Sequence, residues 1–191
     1  MFLESQINHP MQKGSVEVIC GSMFSGKTEE LLRRLKRAQF AKLKIAVFKP
    51  QVDKRYDMGK VVSHDENTIQ SIPVANAKSI LKLADNAQII AIDEAQFFDE
   101  ELIDVCTQLA NNGARVILAG LDMDFLGNPF GVMPQLLAIA EHITKVHAIC
   151  IDCGSIANNS FRKTANIELV KLGEQEEYKP LCRSCFSTKI N

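Results

Sequence analysis

Three groups of residues in this chain have types and spacing that can do chemistry. The first is Gly21-Ser22-Met23-Phe24-Ser25-Gly26-Lys27-Thr28, which fits G-x-x-x-x-G-K-[ST], the pattern of a loop that cradles phosphates. Glycines let backbone N–H groups close on phosphate oxygens without Cβ clashes, and the helix that follows adds the partial positive charge of its N-terminus. In such a loop Lys27 is expected to reach the β- and γ-phosphates and the Thr28 hydroxyl to ligate Mg²⁺. The bland alternative is a glycine-rich turn that matches by chance; an apolar strand before it and a helix after it argue against that. The second group is Asp93-Glu94, at the end of the apolar run Ile89-Ile90-Ala91-Ile92. Folds with a phosphate loop place their Mg²⁺-linked carboxylate there, which selects Asp93. Glu94 lies one residue further into the same crevice and can act as general base toward whatever attacks the γ-phosphate. Its competing reading is a plain surface carboxylate.

The third group is Cys150-x-x-Cys153 and Cys182-x-x-Cys185, two knuckles separated by 28 residues. Two such pairs in a chain without secretory features predict a zinc ribbon. Four thiolates close a tetrahedral shell and leave no open position for water, so the expected Zn²⁺ is structural. Arg183 stands close enough in sequence to offset part of the excess negative charge. Cys20 and Cys106 sit within apolar patterns and read as buried packing residues. None of His9, His64, His142 and His147 stands at ligand spacing that competes with the four cysteines, and each is read as ordinary.

These groups need elements to hold them. Val16-Glu17-Val18-Ile19-Cys20 reads as a buried strand running into the phosphate loop. Thr28 to about Ala41 reads as a helix, with Leu31, Leu32, Leu35 and Ala38 on one face and Arg/Lys on the other. Ile45–Phe48 and Ile89–Ile92 are further apolar strands, as is Val116–Ala119, and Lys145–Ile149 is read as a fifth. Asn76 is placed to cap a helix over Ala77–Ala84, and Asp99 one that runs to about Asn112, stopped by Gly113. Pro134–His142 reads as another helix. Residues 49–71, polar and without period, read as a long loop carrying Asp53, Arg55 and Tyr56. Apolar strands alternating with helices predict an α/β fold with a parallel sheet covered on both faces. The texture changes after Ile149. The expected organisation is a loose tail over 1–14, a nucleotide-binding unit over 15–149 and a cysteine-bearing unit over 150–191.

Composition sets bounds on the function. The 191 residues are 46% apolar and 24% charged, with a formal net charge of −1, which suits a folded domain and offers no excess positive charge to a nucleic acid. The basic run Arg33, Arg34, Lys36, Arg37, Lys42 and Lys44 is read as the solvated face of a helix. No apolar stretch of membrane-spanning length occurs, and the first residues lack a signal-peptide pattern. A cytoplasmic location is expected, where thiols stay reduced.

The combination Gly-Ser-Met-Phe-Ser-Gly-Lys-Thr, Asp-Glu-Ala-Gln-Phe-Phe (Asp93–Phe98) and the two cysteine pairs closely resembles the zinc-containing thymidine kinases, from about Gly14 to Phe186. Ala119-Gly120-Leu121-Asp122 with Phe125, then Pro129-Phe130-Gly131, adds to the likeness. The resemblance implies a RecA-like phosphate-loop domain followed by a small zinc-ribbon domain with a lasso loop. It implies transfer of the γ-phosphoryl group of ATP to the 5′-hydroxyl of thymidine. Glu94 matches the family's general base and Asp93 its Mg²⁺-linked residue, while Gly21, Ser22, Met23, Phe24, Ser25, Gly26, Lys27, Thr28, Asp93, Glu94, Ala95 and Gln96 match its ATP contacts. Met23, Phe97, Leu121, Phe125, Ser160, Arg162, Lys171, Leu172, Gly173 and Tyr178 match the thymidine pocket. A homotetramer and feedback inhibition by dTTP are further implications, with neither nucleic acid nor membrane as a partner. Two positions depart from the family pattern: Gly173-Glu174 replaces a common Gly-Gly pair, and Lys171 stands where an apolar residue is frequent. Two other classes compete. Asp93-Glu94-Ala95-Gln96 also suits a DExx-type nucleic-acid helicase, although such enzymes pair two domains and this chain has room for one. A zinc-ribbon interaction module carrying a nucleotide switch is the other.

Overall fold

The computed structural model describes residues 14–52, 60–62, 68–163 and 177–190. Its centre is a six-stranded sheet. Strand β1 (Ser15–Cys20) leads through the phosphate loop to α1 (Lys27–Phe40), and β2 (Ile45–Pro50) follows. A short antiparallel hairpin, β3 (Lys60–Val62) and β4 (Thr68–Gln70), comes next. The chain continues through β5 (Ile72–Val74), α2 (Lys78–Leu83), β6 (Ile89–Ile92), a 3₁₀ turn (Ala95–Phe97), α3 (Glu101–Asn111), β7 (Arg115–Gly120), α4 (Met133–Ile139) and β8 (His142–Lys145). The sheet order is β5-β2-β6-β7-β1-β8, every neighbouring pair parallel.

Alternate residues of each strand face opposite sides, and each side has its own core. Val16, Val18, Cys20, Ile90, Ile92, Val116 and Leu118 pack with residues of α2, α3 and α4 on one face. Ile19, Val47, Ile89, Ala91, Ile117 and Ala119 pack under Leu31, Leu32, Leu35 and Ala38 of α1 on the other. Both faces are thus covered, which is why the strands read as continuous apolar runs rather than alternating ones.

The helix ends have local causes. Asn76 Oδ1 accepts the Ser79 N–H at 3.0 Å at the start of α2, and Asp99 Oδ1 accepts the Glu101 N–H at 3.1 Å at the start of α3. Gly113, at φ 90°, turns the chain out of α3.

Three expectations need correction. Residues 49–71 are not a plain loop: the described part holds the β3–β4 hairpin, while Asp53, Arg55, Tyr56 and His64 lie outside the described residues. Lys145–Ile149 is not one strand. The helix stops at Ile139, the sheet strand is His142–Lys145, and Ala148–Ile149 (β9) pairs with Ile156–Ala157 (β10) in a separate ribbon. An exposed edge strand carries no apolar run, so the pattern pointed one step too late. Arg34 is not on a solvated face. It is 2% exposed and donates to Glu17 (2.6 Å), Glu30 (2.8 Å) and Thr144 (2.8 Å). Glu17, in the buried strand β1, also receives Arg115.

After β10 the chain forms β11 (Asn159–Arg162), antiparallel to β12 (Tyr178–Leu181), and closes with α5 (Arg183–Ile190). Among the described residues the core of this C-terminal part comprises Ala148, Cys150, Ala157, Leu181 and Phe186, with Phe24 of the phosphate loop packed against it.

Candidate functional site

The phosphate loop joins the end of β1 to α1 through two backbone positions that side chains resist. Gly21 has φ 148°, and a Cβ there would lie 2.1 Å from the carbonyl oxygen of Val146; Gly26 has φ 87°. Phe24 between them is also left-handed, at φ 61°. The Ser22 carbonyl gathers the loop, accepting from Lys27 Nζ at 2.8 Å and Ser25 Oγ at 2.7 Å. Lys27 is thereby folded across the loop mouth, and Thr28 sits in the first turn of α1.

The register puts the acidic pair beside this loop. Cys20, the last residue of β1, is level with Gly120 of β7, and Ile92 of β6 is level with Leu118. Asp93, Glu94, Leu121 and the phosphate loop therefore all lie off the carboxyl edge of the sheet, where parallel sheets bind ligands. Glu94 leaves the strand at φ 52°, a left-handed conformation costing a non-glycine residue roughly 1–2 kcal/mol. That turn swings the chain into the 3₁₀ turn, and its carboxylate accepts from Gln96 Nε2. Gln96 Oε1 in turn accepts the Leu121 N–H at 2.9 Å.

The residues matched to a nucleoside pocket fall into three contacts. Met23 N–H donates to Ser160 Oγ at 2.9 Å, so β11 touches the phosphate loop directly. The Arg162 guanidinium lies over the Phe125 ring, 3.8 Å from its centroid, and donates to Tyr178 Oη from Nε (3.0 Å) and Nη2 (2.6 Å). Phe97 packs edge-on against Phe130, centroids 5.7 Å apart. Lys171, Leu172 and Gly173 lie outside the described residues. Sequence reasoning passed over Lys145, which pairs with the buried Asp122 at 2.7 Å, at the end of β8 level with Cys20. Burial, with Asp122 adding to it, pushes the Cys20 thiol up to about 11, and burial alone pushes Cys106 up to about 12. Both are packing groups rather than nucleophiles.

The four remaining cysteines converge. The sulfurs of Cys150, Cys153, Cys182 and Cys185 all lie within 4.8 Å of one another, unbonded, and Cys153 and Cys182 are 3.6 Å apart. Zn–S bonds of 2.3 Å in a tetrahedron require sulfurs roughly 3.8 Å apart, so the cluster has the spacing of a structural zinc site. Ser155's hydroxyl and N–H draw the Cys153 thiol down to about 6, while the neighbouring Cys153 and Cys182 sulfurs push Cys185 up to about 12. Four sulfurs this crowded ionise together only around a cation. The two hairpins β9–β10 and β11–β12 bring the knuckles together.

Comparison with known proteins settles the family. The thymidine kinase family model matches residues 14–186. The chain belongs to the thymidine kinase family. A thymidine kinase of Bacteroides thetaiotaomicron is 58% identical over 186 residues, covering 97% of this chain and 94% of that protein. That of Porphyromonas gingivalis is 56% identical over 188 residues (97% and 92%), and that of Rhodothermus sp. 57% over 180 residues (94% and 84%). The family's α/β architecture is the one described above. Among the described residues no helix is long and apolar enough to cross a membrane.

Proposed function

We propose that this chain is a thymidine kinase, transferring the γ-phosphoryl group of ATP to the 5′-hydroxyl of thymidine to give dTMP and ADP. The observation that carries the reading is the placement of Glu94. It stands off the end of β6, at the same sheet edge as the phosphate loop, is joined through the Gln96 amide to Leu121, and accepts the Phe97 N–H on its backbone carbonyl. A phosphate switch needs no carboxylate next to an apolar wall; a kinase with a nucleoside acceptor does.

Phosphoryl transfer asks the protein mainly for positioning and charge. In this reading the loop from Gly21 to Thr28 wraps the phosphates, and Lys27 leaves the Ser22 carbonyl for the β- and γ-phosphates. Thr28 and Asp93 hold Mg²⁺, which supplies charge neutralisation on the phosphate oxygens when bound. Glu94 accepts the 5′-hydroxyl proton as that oxygen bonds to phosphorus and ADP departs. Met23, Phe97, Leu121 and Phe125 give the base and sugar an apolar and aromatic surface, which suits a flat pyrimidine bearing a methyl group. Ser160, Arg162 and Tyr178 line the far side of that surface; Lys171, Leu172 and Gly173, matched to the same pocket by resemblance, lie outside the described residues. Excluding water from that surface keeps the enzyme from hydrolysing ATP.

Zn²⁺ on Cys150, Cys153, Cys182 and Cys185 ties the two knuckles of the 150–191 unit together; the few core residues described there support a fold that depends on its metal. A cytoplasmic homotetramer inhibited by dTTP completes the reading. The test is an acceptor panel with Mg²⁺ and ATP: thymidine, deoxycytidine, deoxyadenosine and none. Thymidine-dependent product supports the proposal, whereas turnover that ignores every nucleoside, or rises with single-stranded nucleic acid, sinks it.

A further inference from the structure

Gln96 is 3% exposed, and both ends of its amide are committed inside the protein. Leu121's backbone N–H, which can only donate, takes the oxygen at 2.9 Å. That leaves the NH₂ group facing Glu94, at 2.5 Å from Oε2. The orientation of the amide is therefore fixed by its partners rather than free to flip. The chain is also tightly packed around this residue. A Cβ on Gly120 would sit 2.8 Å from Gln96 Oε1, and one on Gly131 would sit 2.4 Å from the Gln96 backbone oxygen. Gly120 thus leaves room for the Gln96 amide and for Met133, whose sulfur would lie 2.7 Å from that Cβ, and Gly131 lets the backbone at Gln96 pass close by.

We infer that Gln96 is a positioning residue for Glu94 and not a nucleotide contact. Its NH₂ group binds Oε2 of Glu94 and so sets the rotation of the carboxylate that takes the acceptor proton. Its carbonyl ties that arrangement to Leu121, the first residue of the connection that carries Phe125. The catalytic carboxylate and the wall of the acceptor pocket are in this way held by one side chain. Glu94, in a left-handed backbone conformation just outside the strand, takes no alignment from the sheet ladder and needs such a hold.

This inference rests on Glu94 being the base, and the experiment separates the two. Gln96→Met keeps the volume and removes the donor. Gln96→Glu keeps an oxygen for the Leu121 N–H but turns an acceptor toward Glu94, and it serves if the methionine variant folds poorly. Both are expected to lower kcat on the order of 10- to 100-fold, a part of the 10²–10⁴ that a general base contributes. The Michaelis constants for ATP and thymidine should stay within about twofold, because uniform binding is untouched. In a Glu94→Gln background the Gln96→Met change should cost almost nothing more, since coupled residues do not add. A tenfold rise in the ATP constant with kcat retained would overturn the inference and make Gln96 a nucleotide contact. Unchanged kcat, or full additivity with Glu94→Gln, would also overturn it. A wild-type protein that transfers nothing to thymidine would overturn the activity and this inference together.

Discussion

The contact between Met23 and Ser160 gives a prediction whose size can be worked out. Ser160→Ala removes the acceptor of the Met23 N–H and no atom of the phosphate loop itself. Leaving a buried donor unsatisfied costs about 1–3 kcal/mol. Ser160 is buried but Met23 is only half-buried, so water partly replaces the hydroxyl in the free protein. Water is least able to do so once ligands fill the crevice, so the cost falls mainly on the bound state. A loss of about 1–2 kcal/mol there corresponds to a roughly 5- to 30-fold weaker affinity for a non-hydrolysable ATP analogue. Titration calorimetry reads that affinity, and steady-state kinetics reads the accompanying rise in both Michaelis constants. Ser160→Thr keeps the hydroxyl and should stay near wild type. If Ser160→Ala binds the analogue within about twofold of wild type, the strand β11 does not brace the phosphate loop and the reasoning fails.

Other expectations follow from the same geometry. Glu94→Gln should retain Mg²⁺·ATP binding and lose about 10²- to 10⁴-fold in kcat; near-native turnover in a stopped assay would remove it from the base role. Arg34→Met breaks an ion pair whose side chains are 2% and 6% exposed. Such a break costs about 3–5 kcal/mol, and Arg115 still on Glu17 puts it at the lower end. At roughly 2–4 °C per kcal/mol for a chain of this size, calorimetry should show the melting temperature down by about 6–12 °C. Chelation should expose four thiols to a colorimetric thiol reagent at pH 8 and leave two silent. A pKa near 11 leaves roughly one Cys20 thiolate in a thousand, and Cys106 at about 12 holds fewer still. Six fast-reacting thiols would mean that zinc loss unfolds the central sheet as well.

The architecture was legible wherever burial is symmetric. Ile89–Ile92 and Val116–Ala119 are buried on both faces, so their apolar runs mark strands without ambiguity. The edge strand His142–Lys145 is mostly exposed and carries no such mark. The chemistry was legible where one local segment holds it, as in Gly21–Thr28 and the two cysteine knuckles. Contacts between distant segments were not. Arg34 sits in a run of positive charge, and its burial depends on Glu17, Glu30 and Thr144, which lie on three different elements. The one available signal was Glu17 itself, a carboxylate inside a buried strand that has to find a cation. Gln96 likewise reads as one more residue of an acidic motif until Leu121, 25 positions away, fixes its amide.

Transfer to thymidine is tested most directly by the product balance of the purified, zinc-loaded protein with Mg²⁺, γ-labelled ATP and thymidine. One labelled dTMP, esterified at the 5′ position, is expected for each ADP formed, with little free phosphate. ADP and inorganic phosphate appearing in equal amounts, with no labelled dTMP, would contradict it.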